Sequence, residues 1–95
     1  MSTGCYAKFL GGDYQAAIQL SHGATRQRSD FVGAHRVLAA SAGMAGDVDL
    51  AGAALAECRR VQPNISLDWI RREMPIKLEP DRARYLEGLR RAGLT

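Results

Sequence analysis

The heptapeptide GDYQAAI at residues 12–18 is echoed thirty-four residues later by GDVDLAG at 46–52, so that Gly12, Asp13 and Ala17 return as Gly46, Asp47 and Ala51. Glycine followed by aspartate is how one helix stops and another starts. Glycine takes the left-handed conformation that closes the first helix, and the aspartate carboxylate caps the free amides of the second. An alanine four residues later keeps the seam beside the joint narrow. A fixed period of this length signals stacked helical units, each with an apolar face that it cannot bury alone. The recurrence therefore points to antiparallel helical hairpins packed side by side.

Six helical segments can be placed around these joints. Ser2 or Thr3 caps the first, which runs to about Leu10 and is closed by Gly11 and Gly12. Asp13 caps the second, from Tyr14 to about Ala24, with Ala17, Ile18 and Ser21 on one side. TRQRSD, at 25–30, reads as a polar connection. Asp30 caps the third, from Phe31 to about Ala45, whose stripe is Phe31, Ala34 or His35, Leu38 and Ala42. Asp47 caps the fourth, which turns Leu50, Ala51, Ala54, Leu55, Cys58 and Val61 to one face and is stopped by Pro63. Ser66 caps a short fifth, LDWIRREM, with Leu67, Ile70 and Met74 inward and Pro75 beyond its end. Pro80 stands at the first position of the sixth, and Gly93 lies just past its end. Its buried face is expected to hold Tyr85, Leu86, Leu89 and Ala92. No segment alternates with period two, so no sheet is expected. The predicted fold is all-α, with two hairpin units over residues 1–64 and a two-helix C-terminal cap over 65–95.

Thirteen Lys and Arg outweigh ten Asp and Glu by three charges. The bases come in pairs, Arg59-Arg60, Arg71-Arg72 and Arg90-Arg91, interleaved with Glu57, Asp68, Glu73 and Glu87. A nucleic-acid binder presents an unbroken basic stripe or aromatic stacking platforms. These pairs read instead as solvated helix faces balanced by acids a turn away, and no specific nucleic acid is expected as partner. No stretch reaches the roughly 20 apolar residues of a membrane span. The opening residues lack the basic start and apolar run of a secretion signal. Cys5 and Cys58 stand far apart without a CxxC neighbour, the pattern of reduced thiols rather than of a disulfide framework. A cytoplasmic protein is the expectation.

Catalytic and metal-binding patterns are absent. His22 and His35 have no acid or cysteine at ligand spacing, and GxxxxGKS/T, GxSxG, HExxH and GxGxxG do not occur. No cofactor, metal or enzymatic activity of this chain is expected. His35 is read as filling a slot between helices, His22 as surface, and Cys58 as a small core residue. Cys5 has no base in sight that would activate it. Trp69 is either a recognition aromatic or the anchor of the fifth helix, the second being the stronger reading.

The period of thirty-four, the small residues Ala39, Ala51 and Cys58 at close-approach places, and Pro63 at the end of the fourth helix carry a resemblance to the tetratricopeptide repeat. It spans residues 1–64 and is closer in the second unit than in the first. His35 stands where that family commonly has tryptophan, Gly4-Cys5 where it has a leucine and a small residue, and Ser29 where it has proline. A second likeness covers residues 30–95. Pro63 through Trp69, Tyr85-Leu86 and the closing GLRRAGL resemble the C-terminal repeat region of bacterial class III adenylate/guanylate cyclases and related signalling regulators.

The resemblance implies a non-catalytic protein–protein interaction module, an accessory region with a catalytic domain upstream. In such repeats the first helix of each unit lines a groove that grips peptides, and this places Tyr6, Phe9, Leu10, Arg36, Ala40, Gly43 and Met44 in the groove. Tyr6, Phe9 and Met44 would suit an apolar or amphipathic segment, with Arg36 offered to a carboxylate. The alternative for Phe9 and Leu10 is the core. The first helix bears Tyr6, Phe9 and Leu10 but only one charge, Lys8. Its surface is therefore expected to be covered by an upstream repeat, a partner or a second copy. Alternative functions are an autonomous self-associating protein and, on the arginines alone, a nucleic-acid-binding module.

Overall fold

The two Gly–Asp joints fold alike. In the computed structural model, which describes residues 8–28, 32–73 and 79–94, Gly12 and Gly46 both sit at φ +84°. The aspartates follow at φ −88°, ψ 75° and φ −87°, ψ 80°. Ala16 N–H donates to Asp13 Oδ1 and Leu50 N–H to Asp47 Oδ1, both at 3.2 Å. Behind each joint the Gly12 and Asp13 amides donate to the Phe9 and Lys8 carbonyls, as those of Gly46 and Asp47 do to Gly43 and Ala42. These bonds satisfy the last carbonyls of one helix while the aspartate satisfies an early amide of the next. The far ends correspond as well: Arg28 and Gln62, thirty-four residues apart, leave the helix and donate to the Ala24 and Cys58 carbonyls.

The helices are α1 (described over residues 8–10), α2 (Tyr14–Gln27), α3 (Val32–Ala45), α4 (Val48–Val61), α5 (Leu67–Glu73) and α6 (Glu79–Ala92). Every regular element among the described residues is helical, and the all-α fold of stacked hairpins is the observed one. Ser66 caps α5 by accepting the Trp69 amide at 3.0 Å. Gly93 ends α6 at φ +115°. The caps at Ser2, Thr3 and Asp30, and the residues Phe31, Met74 and Pro75, lie outside the described residues.

Helix α2 runs beyond Ala24 and absorbs Thr25–Gln27 from the expected polar connection. The reason is local. Thr25 donates its hydroxyl to the His22 carbonyl at 2.8 Å, and Ser21 donates to Ala17 at 2.6 Å. Both side chains are buried. Hydroxyls satisfied by their own helix can lie on its inner side at little cost.

Helix α3 also departs from expectation. Instead of one apolar stripe, every residue from Val37 to Gly43 is buried, which is two full turns and so all sides of the helix. It is the centre of the molecule, with α2, α4 and α6 packed around it. Ala39, Ala40, Ser41, Ala42 and Gly43 are small enough to admit three neighbours at once. The tightest contact is with α6. A Cβ on Gly88 would overlap the Ala40 carbonyl, and one on Gly43 would overlap that of Gly88. Each glycine costs a helix about 1 kcal/mol relative to alanine. Here both glycines are required, because two backbones meet.

One core joins the hairpins to the cap, from Phe9 through Leu38, Leu55 and Ile70 to Tyr85, Leu89 and Leu94. Burying Phe9 completely contributes on the order of 1.5–3 kcal/mol. Its ring lies 5.5 Å from Tyr14 and 5.6 Å from Tyr85, the latter edge-on at 82°, an orientation that aromatic quadrupoles favour.

Candidate interaction surface

The face assigned to peptide capture is occupied by the chain itself. Helix α6 lies across it: Tyr85 meets Phe9, Gly88 meets Ala40 and Gly43, and the Arg84 guanidinium donates to the Leu10 carbonyl at 2.8 Å. Phe9 is 0% exposed, which corrects its placement on an open groove or an exposed N-terminal face. The cover expected from an upstream repeat, a partner or a second copy is supplied for Phe9 by α6. Leu10 and Met44 are partly buried against the same core, and Tyr6 lies outside the described residues. The structure thus gathers Phe9, Leu10, Ala40 and Gly43 on one face, but beneath a helix.

Arg36 sits apart from them, under the start of the cap. It donates to Gln62 Oε1 at 3.1 Å, and its guanidinium carbon stands 5.9 Å from the centre of the Trp69 ring. Its Nε is buried and makes no hydrogen bond to the described residues. Trp69 in turn packs on the core, in keeping with its reading as the anchor of α5. Arg36 therefore ties the α4–α5 connection to α3, a role that sequence spacing did not reveal because its partners lie 26 and 33 residues away.

Arg60, Arg90 and Arg91 are balanced by acids a turn away on their own helices, while Arg71 and Arg72 stand exposed on α5. Glu57 takes Arg60 at 3.0 Å, and Glu87 takes Arg90 at 2.7 Å and Arg91 at 2.8 Å. Hydrogen bonds from Arg90 and then Arg91 hold the Glu87 carboxyl down at about 2, so it stays ionised well into acid. Arg84, also on α6, turns inward to Leu10 instead.

The thiol of Cys58 is buried and free, and burial pushes it up to about 12 against the nearby positive charge of Arg36, so it is a core residue rather than a nucleophile. His35 is buried on α3 and His22 is exposed on α2. Among the described residues no three His, Cys, Asp or Glu side chains converge as metal ligands. No described helix is long and apolar enough to cross a membrane.

Two surface features remain. Among the described residues, Leu20 on α2 and Val48 at the start of α4 are the exposed large apolar side chains, at 46% and 65%. Between α5 and α6 a cleft of about 410 Å³ opens, with Leu67, Ala83 and Leu86 as its apolar lining and Arg71, Arg82, Glu87 and Arg90 as its polar lining. Sequence reasoning read Arg71 and Arg90 as members of separate pairs. What joins them is the fold-back of α6 beside α5, which no local pattern encodes. Compared with known proteins, the chain matches no protein-family model, no curated protein and no solved structure.

Proposed function

We propose that this chain is a non-catalytic protein–protein interaction module built on tetratricopeptide-like hairpins, the accessory C-terminal repeat region of a cytoplasmic bacterial signalling protein such as an adenylate/guanylate cyclase. The observation that carries the reading is the seating of α6 across α1 and α3. A face of paired helices that receives an amphipathic helix in cis is the kind of surface by which helical repeats receive partners in trans. The repeated joints support the same reading, because hairpins that turn alike at Gly12-Asp13 and Gly46-Asp47 are suited to stacking. Arginines already matched by Glu57 and Glu87 weigh against a nucleic-acid module.

Photocrosslinking inside the cell tests this directly. A benzophenone amino acid at Leu20 or Val48, both exposed, is expected to give a discrete adduct with one partner protein. An adduct at twice the mass of the chain would favour the self-associating alternative instead. A smear of unrelated proteins, or no adduct at either position, would contradict the module reading.

A further inference from the structure

Helix α6 follows α5 in the chain but is packed elsewhere. Its contacts run to α3 and α4 far more than to α5. Tyr85 meets Phe9 of α1 edge-on, Gly88 lies against the Ala40 carbonyl of α3, and Arg59 of α4 donates to the Gly93 carbonyl at 3.4 Å. Helix α5 is held on its own account, by the fully buried Ile70 and by Trp69 beside the Arg36 guanidinium. Between these two consecutive helices lies the cleft of about 410 Å³. The seam between α6 and its predecessor is thus loosely packed, while the face that receives α6 is in backbone contact with it. We propose that α6 exchanges between two copies of this chain, each copy's α6 seating on the α1–α3 face of the other to give a reciprocal dimer. The inference goes beyond the interaction-module reading and does not depend on it.

Fit selects the occupant. Removing α6 without a replacement would bare Phe9 on one side and Tyr85, Leu89 and Leu94 on the other, all of them fully buried. A foreign helix has to offer an aromatic ring to Phe9. Three residues on, it has to offer bare backbone to Ala40 and Gly43, because a Cβ there meets main-chain atoms. The α6 of a second copy meets both demands by identity. Exchange therefore keeps the contacts of α6 with α1, α3 and α4, and gives up only those it makes with α5.

The connection also limits how the copies can meet. Residues 74–78 join α5 to α6. Fully extended, five residues allow about 20 Å between the flanking Cα atoms. The smallest extent of the molecule is 23 Å. The two-fold axis must therefore run beside the two α5–α6 connections, with the α5 helices of both copies near it.

Refolding labelled and unlabelled full chains together tests the proposal. The two are unfolded in urea, mixed, and refolded at low and at high concentration, and light scattering after size separation gives the masses. Closure of α6 on its own chain is first order and exchange is second order. Raising the chain concentration about tenfold should therefore raise the dimer-to-monomer ratio by about the same factor while monomer predominates. The isolated dimer is then examined by an isotope-filtered nuclear Overhauser spectrum, which passes only contacts between labelled and unlabelled chains. It should show the ring of Phe9 against the ring of Tyr85. Monomer alone at every concentration would overturn the exchange and leave the module reading standing. A dimer whose filtered spectrum lacks that cross-peak would overturn it too, since the copies then meet through another surface. Assemblies that grow past two chains would overturn the reciprocal form.

Discussion

Phe9 and Gly43 hold the same place in the two units, thirty-four residues apart and each four residues before its capping aspartate, yet one carries an aromatic ring and the other no side chain. The joints that follow them are alike to within a few degrees. Helix α6 answers the two residues differently, with the ring of Tyr85 against Phe9 and the bare backbone of Gly88 against Gly43. Tyr85 and Gly88 are three residues apart, hence on one face of α6. The ring pair spaces α6 from the first unit, and the glycine pair lets it touch the second. What repeats in the sequence makes the hairpins, and what fails to repeat decides where the extra helix goes.

The largest effect is expected at Phe9. Phe9→Ala empties a fully buried ring site shared by α1, α2 and α6, and should destabilise the chain by about 3–5 kcal/mol in urea unfolding. A loss under about 1 kcal/mol would contradict the burial of the first unit's end.

Next come the glycines, where the sign is as informative as the size. Gly43→Ala and Gly88→Ala improve helix propensity, yet each puts a methyl into a backbone contact. Both should destabilise by about 1–3 kcal/mol. Stabilisation by either would mean that α6 does not approach α3 closely.

The caps test the likeness of the joints. Asp13→Ala and Asp47→Ala remove hydrogen bonds of the same length and geometry, and each should cost about 1 kcal/mol. Thermal melts of the two variants should fall together. A large difference would show that the joints are alike in shape only.

The smallest effect is a gain. Gly52, exposed within α4, has open space where a Cβ would go. Gly52→Ala should stabilise by about 0.5–1 kcal/mol, the opposite of Gly43→Ala in the same assay.

Much of the architecture was legible because it is local. Gly–Asp joints, Ser66 before α5 and Gly93 after α6 act on amides within a few residues, and spacing along the chain reports them. The narrow seams were legible from Ala17, Ala51 and Cys58, all of which are fully buried. The seating of α6 was not. Period identifies its apolar face but not the surface that receives it, and Gly43 and Gly88, forty-five residues apart, look in sequence like two separate weak points of helices. The same blindness placed Phe9 in an open groove and gave Arg84 no part in the packing. Both positions are set by contacts more than seventy residues away in the chain. Helix α2 exceeded its expected end for a different reason, since Thr25 looks like a connector residue until its hydroxyl is seen bonded to His22.

The central claim is that α6 closes the face formed by α1 and α3, and nuclear Overhauser contacts read it without any substitution. In the isotope-labelled chain, cross-peaks are expected between the ring protons of Phe9 and Tyr85, whose centroids are 5.6 Å apart, and between the Hα protons of Gly88 and that of Ala40. The α6 amides should exchange with solvent as slowly as those of α3, because both belong to one core. Absence of both sets of cross-peaks, with α6 amides exchanging much faster than α3, would place α6 away from that face and contradict the account.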